Sequence, residues 1–191
     1  MTTALLVLDV QESFRARPLW SQLSNPQIVD RVNRLVAAAR AGGHAVHWIW
    51  HAEPGSGTVF DPARGFVRPL EGLDVDDGEP QLTKTSWNAF TTTGLAQRLT
   101  AAGVTDLVIA GIQTEQCCET TARVAADLGY SVTFVTEATA TFPVTRPDTG
   151  VTLSADAVIE RTEFALAGRF ARIATVDTAC AAAPLAAAAH E

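Results

Sequence analysis

Short apolar runs of strand length recur along the chain, separated by segments with helical spacing. The runs are Ala4 to Leu8, Ala45 to Trp50, Leu107 to Ala110, Val132 to Val135 and Ile173 to Val176, and Gln81 to Lys84 reads as a further short strand. Ile28, Val32, Leu35, Val36 and Ala39 recur at the interval that lines one helix face, and Gly42-Gly43 then supply a stop. Leu95, Leu99 and Ala102 before Gly103 repeat the design, as does the stretch from Cys117 to Leu128 before Gly129. Val158, Phe164, Leu166 and Phe170 belong to or flank one more helix. Alternating β and α segments predict an α/β fold with a parallel sheet covered on both faces.

Two segments read as loops. His51 to Asp77 is rich in Gly and Pro, and a connection this long is usually a lid or a binding loop. Thr141 to Pro147 is the second. The tail from Ala181 to Glu191 has little to bury and is expected to fray or pack on a partner.

With 191 residues the chain is expected to form one domain, 1–191, with a core that needs no disulfide staples. A formal charge of −7 leaves no basic footprint for nucleic acid and argues against anionic membrane surfaces. No apolar run approaches the roughly 20 residues that span a bilayer. The opening Met1-Thr2-Thr3 lacks the basic region of a secretory signal, and two of the three cysteines, Cys117 and Cys118, are adjacent. A disulfide framework is therefore not expected, and a reducing cytoplasm is.

In an open α/β sheet, ligands collect at the carboxyl ends of the strands. Asp9 closes the first strand, Lys84 follows the third, and Gly111 to Gln116 leave the fourth, so three polar groups distant in sequence should converge. Cys117 would open a helix, where the positive end of the dipole and a neighbouring Lys84 ammonium favour a thiolate. Asp9 would then move protons to and from the thiol and a leaving group. Each residue alone has a plainer explanation: a capping Asp, a solvated Lys, a small apolar Cys. Only the combination points to a nucleophile.

Leu8-Asp9-Val10-Gln11-Glu12-Ser13-Phe14, Lys84-Thr85-Ser86-Trp87-Asn88-Ala89-Phe90 and Gly111-Ile112-Gln113-Thr114-Glu115-Gln116-Cys117 occur in that order. With Thr121-Ala122 and Leu128-Gly129-Tyr130, they resemble the isochorismatase-like cysteine hydrolase superfamily over most of the chain. The resemblance implies a three-layer α/β/α Rossmann-like fold with a six-stranded, mainly parallel sheet. It implies an Asp9, Lys84, Cys117 triad, with Cys118 structural. It also implies a non-proline cis peptide at Ile112-Gln113, aiming the N–H groups of Gln113 and Cys117 at an oxyanion.

Members that cleave a vinyl ether generally lack the cysteine, so Cys117 favours hydrolysis of an amide, carbamoyl or ureido C–N bond through a thioester-type intermediate. Nicotinamidases of the superfamily usually hold a metal through an Asp and paired His. Here the Asp-x-His pattern is missing, and His47 and His51 would stand roughly 13 Å apart along a strand. No metal and no other cofactor is therefore expected. Gln11, Phe14, Trp50, Trp87 and Phe90 flank the motifs and are candidates to frame a small-molecule substrate, whereas His51 reads as a loop histidine without a catalytic role. Superfamily members commonly form dimers or tetramers, which implies a homo-oligomer. Three alternatives stay open: a catalytically idle interaction module, a vinyl ether hydrolase, and a redox sensor using Cys117 and Cys118.

Overall fold

The structure is a computed structural model describing residues 2–182. Most of the expected fraying tail, 183–191, lies outside the described residues. Among the described residues eight strands occur: β1 (Thr2–Leu8), β2 (Ala45–His51), β3 (Gln81–Lys84), β4 (Val104–Ile112), β5 (Ser131–Ala140), β6 (Val144–Thr145), β7 (Thr152–Leu153) and β8 (Arg172–Ala174). The helices are α1 (Glu12–Arg15), α2 (Ile28–Ala41), α3 (Leu95–Ala101), α4 (Glu119–Asp127), α5 (Ala155–Leu166) and α6 (Val176–Ala182).

Six strands form one sheet in the order β3-β2-β1-β4-β5-β8, and every neighbouring pair is parallel. Side chains alternate across it, so each central strand feeds two cores. Leu5 and Val7 of β1 pack under α2 and α6 with Val32, Val36 and Val176; Leu6 and Leu8 pack on the opposite face with Leu95 of α3, Ala122 of α4 and Leu166 of α5. The predicted three layers follow from that alternation.

The sheet order turns back between β1 and β4. Successive crossovers run outward from β1 through β2 to β3 on one side, and from β4 through β5 to β8 on the other. Loops leaving β1 and β4 therefore part in opposite directions, and a crevice opens at their carboxyl ends.

Three local expectations change. Ile173 to Val176 is not one strand: the Thr175 hydroxyl accepts from the Thr178 N–H at 3.1 Å, and Val176 begins α6. The segment from Thr141 holds β6, which pairs antiparallel with β7. Cys117 does not open a regular helix but lies in a π-helical turn, Thr114–Cys118, that leads into α4. The long connection after β2 is tied down: Leu70 N–H donates to Val10 O at 3.0 Å, and Glu12 N–H donates to Arg68 O at 2.9 Å.

Candidate active site

Asp9 is the first residue past β1 and has φ 55°, in the left-handed region that costs an L-residue about 1–2 kcal/mol. Its N–H donates to Ile49 O of β2 at 2.8 Å, which fixes the turn. Beside it, Gly111 of β4 has φ 140°, and a Cβ there would stand 2.0 Å from Leu8 O. Only glycine lets β4 pass this close to the end of β1. The next peptide bond but one, Ile112–Gln113, is cis.

Lys84 is the last residue of β3, in register with His51 at the end of β2. Its side chain is fully buried, with Nζ 2.8 Å from Asp9 Oδ2. The ammonium also donates to Cys117 Sγ at 3.3 Å and to Ser86 O at 3.2 Å, and lies 3.3 Å from His51 Nδ1. Apart from Lys84, no nitrogen or hydroxyl donor among the described residues reaches either Asp9 carboxylate oxygen. Asp9, Lys84 and Cys117 are thus brought together from three strand ends, and one ammonium touches the other two.

Burial opposes a charge on Lys84, but the Asp9 carboxylate and the Cys117 sulfur outweigh it and hold the ammonium above its ordinary range. Burial first, and the Asp9 charge second, push the Cys117 thiol well above its ordinary value, and Lys84 pulls down without compensating. This corrects the expectation of a resting thiolate: the dipole and the ammonium lose to desolvation and the carboxylate. The resting site is an ion pair beside a protonated thiol.

His51, which reads from its sequence context as a loop histidine, is buried in the site. Burial, then the Lys84 charge, lower its basicity and keep it neutral near pH 7. Because the Lys84 ammonium faces Nδ1 at 3.3 Å and would repel an N–H there, we assign the ring proton to Nε2, which faces Glu53 Oε1 at 3.5 Å. The available signal was register: His51 lies directly across from Lys84.

A cleft of 370 Å³ opens over Cys117, lined by Phe14, Trp87 and Gln113 among the candidates, and by Arg17, Glu53 and Phe60, which no motif singles out as cleft residues. Trp87 stacks on His51 at 5.8 Å and keeps 58% exposure, which places it at the rim. Phe14 meets Phe60 edge to face at 5.1 Å. Trp50 and Phe90 do not line the cleft. Trp50 stacks on Trp48 at 6.1 Å in the α2 core, since strand alternation sends it to the opposite face from His51; Phe90 packs with Tyr130 in the other core. Gln11 acts on backbone: its amide donates to His51 O at 2.9 Å and accepts from His51 N–H at 2.8 Å, clamping the strand end that carries His51. Cys118 is fully buried against α4 and its core.

A metal does not fit this set. His51 presents Nδ1 to an ammonium, and among the described residues no cluster of three His, Cys, Asp or Glu side chains is placed to hold an ion. His47 lies two pleat repeats further back on β2, buried, with Glu79 and Arg98 as its charged neighbours.

Residues 3–179 match the family model described as the Isochorismatase domain. The chain belongs to the isochorismatase family. Streptothricin hydrolase of Streptomyces noursei is 35% identical over 85% of this chain, which spans 59% of that protein's length. A probable inactive nicotinamidase of Arabidopsis thaliana is 33% identical over 72% of this chain and 79% of its own. Among solved structures, a cysteine hydrolase from Pseudomonas syringae superposes with a TM-score of 0.86 at 25% identity, covering 96% of this chain and 93% of its own. An isochorismatase from Pseudomonas putida superposes with a TM-score of 0.83 at 29% identity, covering 92% and 89%. This chain is an isochorismatase-family hydrolase with the six-stranded α/β fold of its neighbours. No helix among the described residues is long and apolar enough to cross a membrane.

Proposed function

We propose that this isochorismatase-family chain hydrolyses a C–N bond of a small amide, carbamoyl or ureido compound, with Cys117 as nucleophile. One observation carries the reading: Lys84 Nζ lies within 2.8 Å of Asp9 Oδ2 and 3.3 Å of Cys117 Sγ, beneath a cleft that Cys117 itself lines. Relatives named streptothricin hydrolase and Nicotinamidase 3 support it.

The raised thiol dictates the order of events. Sulfur attacks the carbonyl carbon as its proton passes to Asp9, so the C–S bond forms without a free thiolate in the resting enzyme. The oxyanion is assigned to the backbone N–H groups of Gln113 and Cys117. Collapse breaks the C–N bond, Asp9 returns the proton to the departing nitrogen, and a thioester remains. Water then attacks that carbonyl while giving a proton to Asp9; the C–S bond breaks and the proton returns to sulfur. Lys84 keeps its own proton throughout and offsets the carboxylate charge between steps.

The test is a panel of small amides, ureido acids and N-carbamoyl compounds. Turnover of an identified substrate, with a covalent adduct on Cys117 by mass spectrometry, is the expected result. A Cys117→Ala variant that turns that substrate over at the full rate would sink the reading.

A further inference from the structure

Arg17 is the unexplained charge of the cleft. It lies past α1, half-buried, and its guanidinium sits over two aromatic rings, 5.8 Å from the Phe14 centroid and 5.3 Å from that of Phe142. A cation–π contact attracts a guanidinium to the rings without using its N–H donors, which remain available to whatever lies beside it. Arg17 has five such donors, and among the described residues one hydrogen bond engages them, to Gln113 Oε1 at 3.3 Å. No carboxylate among the described residues lies within ion-pair distance of it.

The neighbouring acids are committed elsewhere. Glu115 accepts from the Thr141 hydroxyl at 2.5 Å and from the Gln113 amide at 3.2 Å. Glu53 accepts from the Thr58 hydroxyl at 2.9 Å and faces His51 Nε2. Asp9 is paired with Lys84 at 2.8 Å, so that couple adds no net charge. Arg17 and Glu53 both line the cleft, so one carries an unpaired positive charge and the other a negative charge beside a neutral histidine.

We infer that Arg17 is the specificity residue of the cleft and binds a carboxylate on the substrate, next to the carbonyl attacked by Cys117. This rests on the proposed C–N hydrolysis and narrows it to N-acyl, N-carbamoyl or ureido compounds that carry a carboxylate. The side chain of Gln113, touching Arg17, puts the anion beside the residue whose backbone N–H is assigned to the oxyanion. Glu53 repels a carboxylate, which orients the substrate with its anionic end at Arg17. A fork of donors drawn toward two rings suits a planar carboxylate, and its placement before binding lowers the ordering cost.

Two probes of equal shape and different charge test this. Iodoacetate and iodoacetamide both alkylate Cys117, forming S–C and releasing iodide, and peptide mass spectrometry at pH 9 separates that site from Cys118 and Cys180. The expected result is a ratio of iodoacetate to iodoacetamide rates at least about tenfold above that of free cysteine. In Arg17→Gln it should fall to the free-thiol ratio, and in Arg17→Lys it should be partly restored. A merely structural role for Arg17 would slow both reagents alike and leave the ratio unmoved, which would overturn the inference.

Binding of benzoate and benzamide, followed by Trp87 fluorescence in a Cys117→Ala background, supplies a measurement that needs no sulfur. Preference for benzoate that disappears with Arg17→Gln supports the assignment, and equal binding of the pair, or none, refutes it. Failure of the C–N hydrolysis reading, seen as undiminished turnover by Cys117→Ala, would leave this preference intact, so the two failures are distinguishable.

Discussion

Lys84 and Asp9 form an ion pair from which solvent is fully withdrawn, with Nζ 2.8 Å from Oδ2 and neither side chain exposing any surface. Such a pair repays its desolvation only through close contact and further hydrogen bonds, which Ser86 O and the Cys117 sulfur supply on the lysine side. On the carboxylate side there is no second nitrogen or hydroxyl donor among the described residues, and only the weakly donating Cys117 thiol stands beside it. That asymmetry is costly for stability and useful for proton transfer, because an oxygen without a donor is free to take a proton.

Lys84→Met tests the pair. It leaves the Asp9 carboxylate buried without a counter-ion, and breaking a buried pair in this way costs about 3–5 kcal/mol. Urea unfolding should show a loss of that size at pH 7, and turnover should fall at least a thousandfold. A Lys84→Met protein as stable as the parent would show that the pair contributes nothing to the fold.

Gly111→Ala should be among the most damaging small substitutions in the chain. The added methyl would meet Leu8 O at 2.0 Å, and that atom is backbone of the central strand. Since φ is 140°, an L-residue is also strained there whatever the space. Either β1 and β4 separate or the turn carrying Asp9 shifts. Soluble expression with intact thermal unfolding and full turnover would contradict this; we expect aggregation or loss of activity beyond a hundredfold.

What was readable in the sequence depended on periodicity. β1 shows as Ala4 to Leu8 because a strand buried on both faces must be apolar throughout, and α2 shows as Ile28 to Ala39 because one helix face must be. Parallel topology then brought Asp9, Lys84 and Cys117 to one edge with no further information. His51 escaped because β2 runs one residue beyond its apolar run, into His-Ala-Glu-Pro, which reads as turn. Trp50 was misplaced by one step of strand alternation, which reverses the face. Arg17 and Phe60 come from irregular segments whose positions depend on contacts across the fold, and no local pattern encodes those. The direction of the Cys117 shift was likewise hidden, since it rests on how deeply the sulfur is buried.

Stability should decline in mildly acidic buffer through His51 and His47. Burial is the main cause in both, joined by the Lys84 charge for His51 and the Arg98 charge for His47, and each is held below its ordinary value of 6.5. The unfolded chain therefore takes up protons first. The stabilisation is present above about pH 6.5 and is lost as pH falls through the folded-state values. Urea midpoints at pH 7.5, 6.5 and 5.5 should decrease in that order. His51→Gln, which keeps an acceptor toward Lys84 without titrating, should flatten the part of the slope due to His51. An unchanged slope in that variant would remove His51 from the account.

Asp9→Asn separates thiol ionisation from catalysis. Asn tolerates the left-handed conformation at this position better than most residues, so the substitution changes charge with little added backbone strain. After burial, the Asp9 carboxylate is the largest influence raising the Cys117 thiol, while Lys84 lowers it. Without the carboxylate, the ammonium 3.3 Å from Sγ is left with the sulfur as its natural counter-ion. Asp9→Asn should therefore ionise the thiol more readily, and iodoacetamide should alkylate Cys117 several-fold faster than in the parent at pH 7.5. Turnover of substrate should nevertheless fall at least a thousandfold, because no group remains to carry the proton to the leaving nitrogen. A more reactive thiol in a dead enzyme is the signature of a carboxylate that shuttles protons. Slower alkylation together with lost turnover would instead mean that Asp9 merely holds the site in shape, and the proton route assigned to it would have to be abandoned.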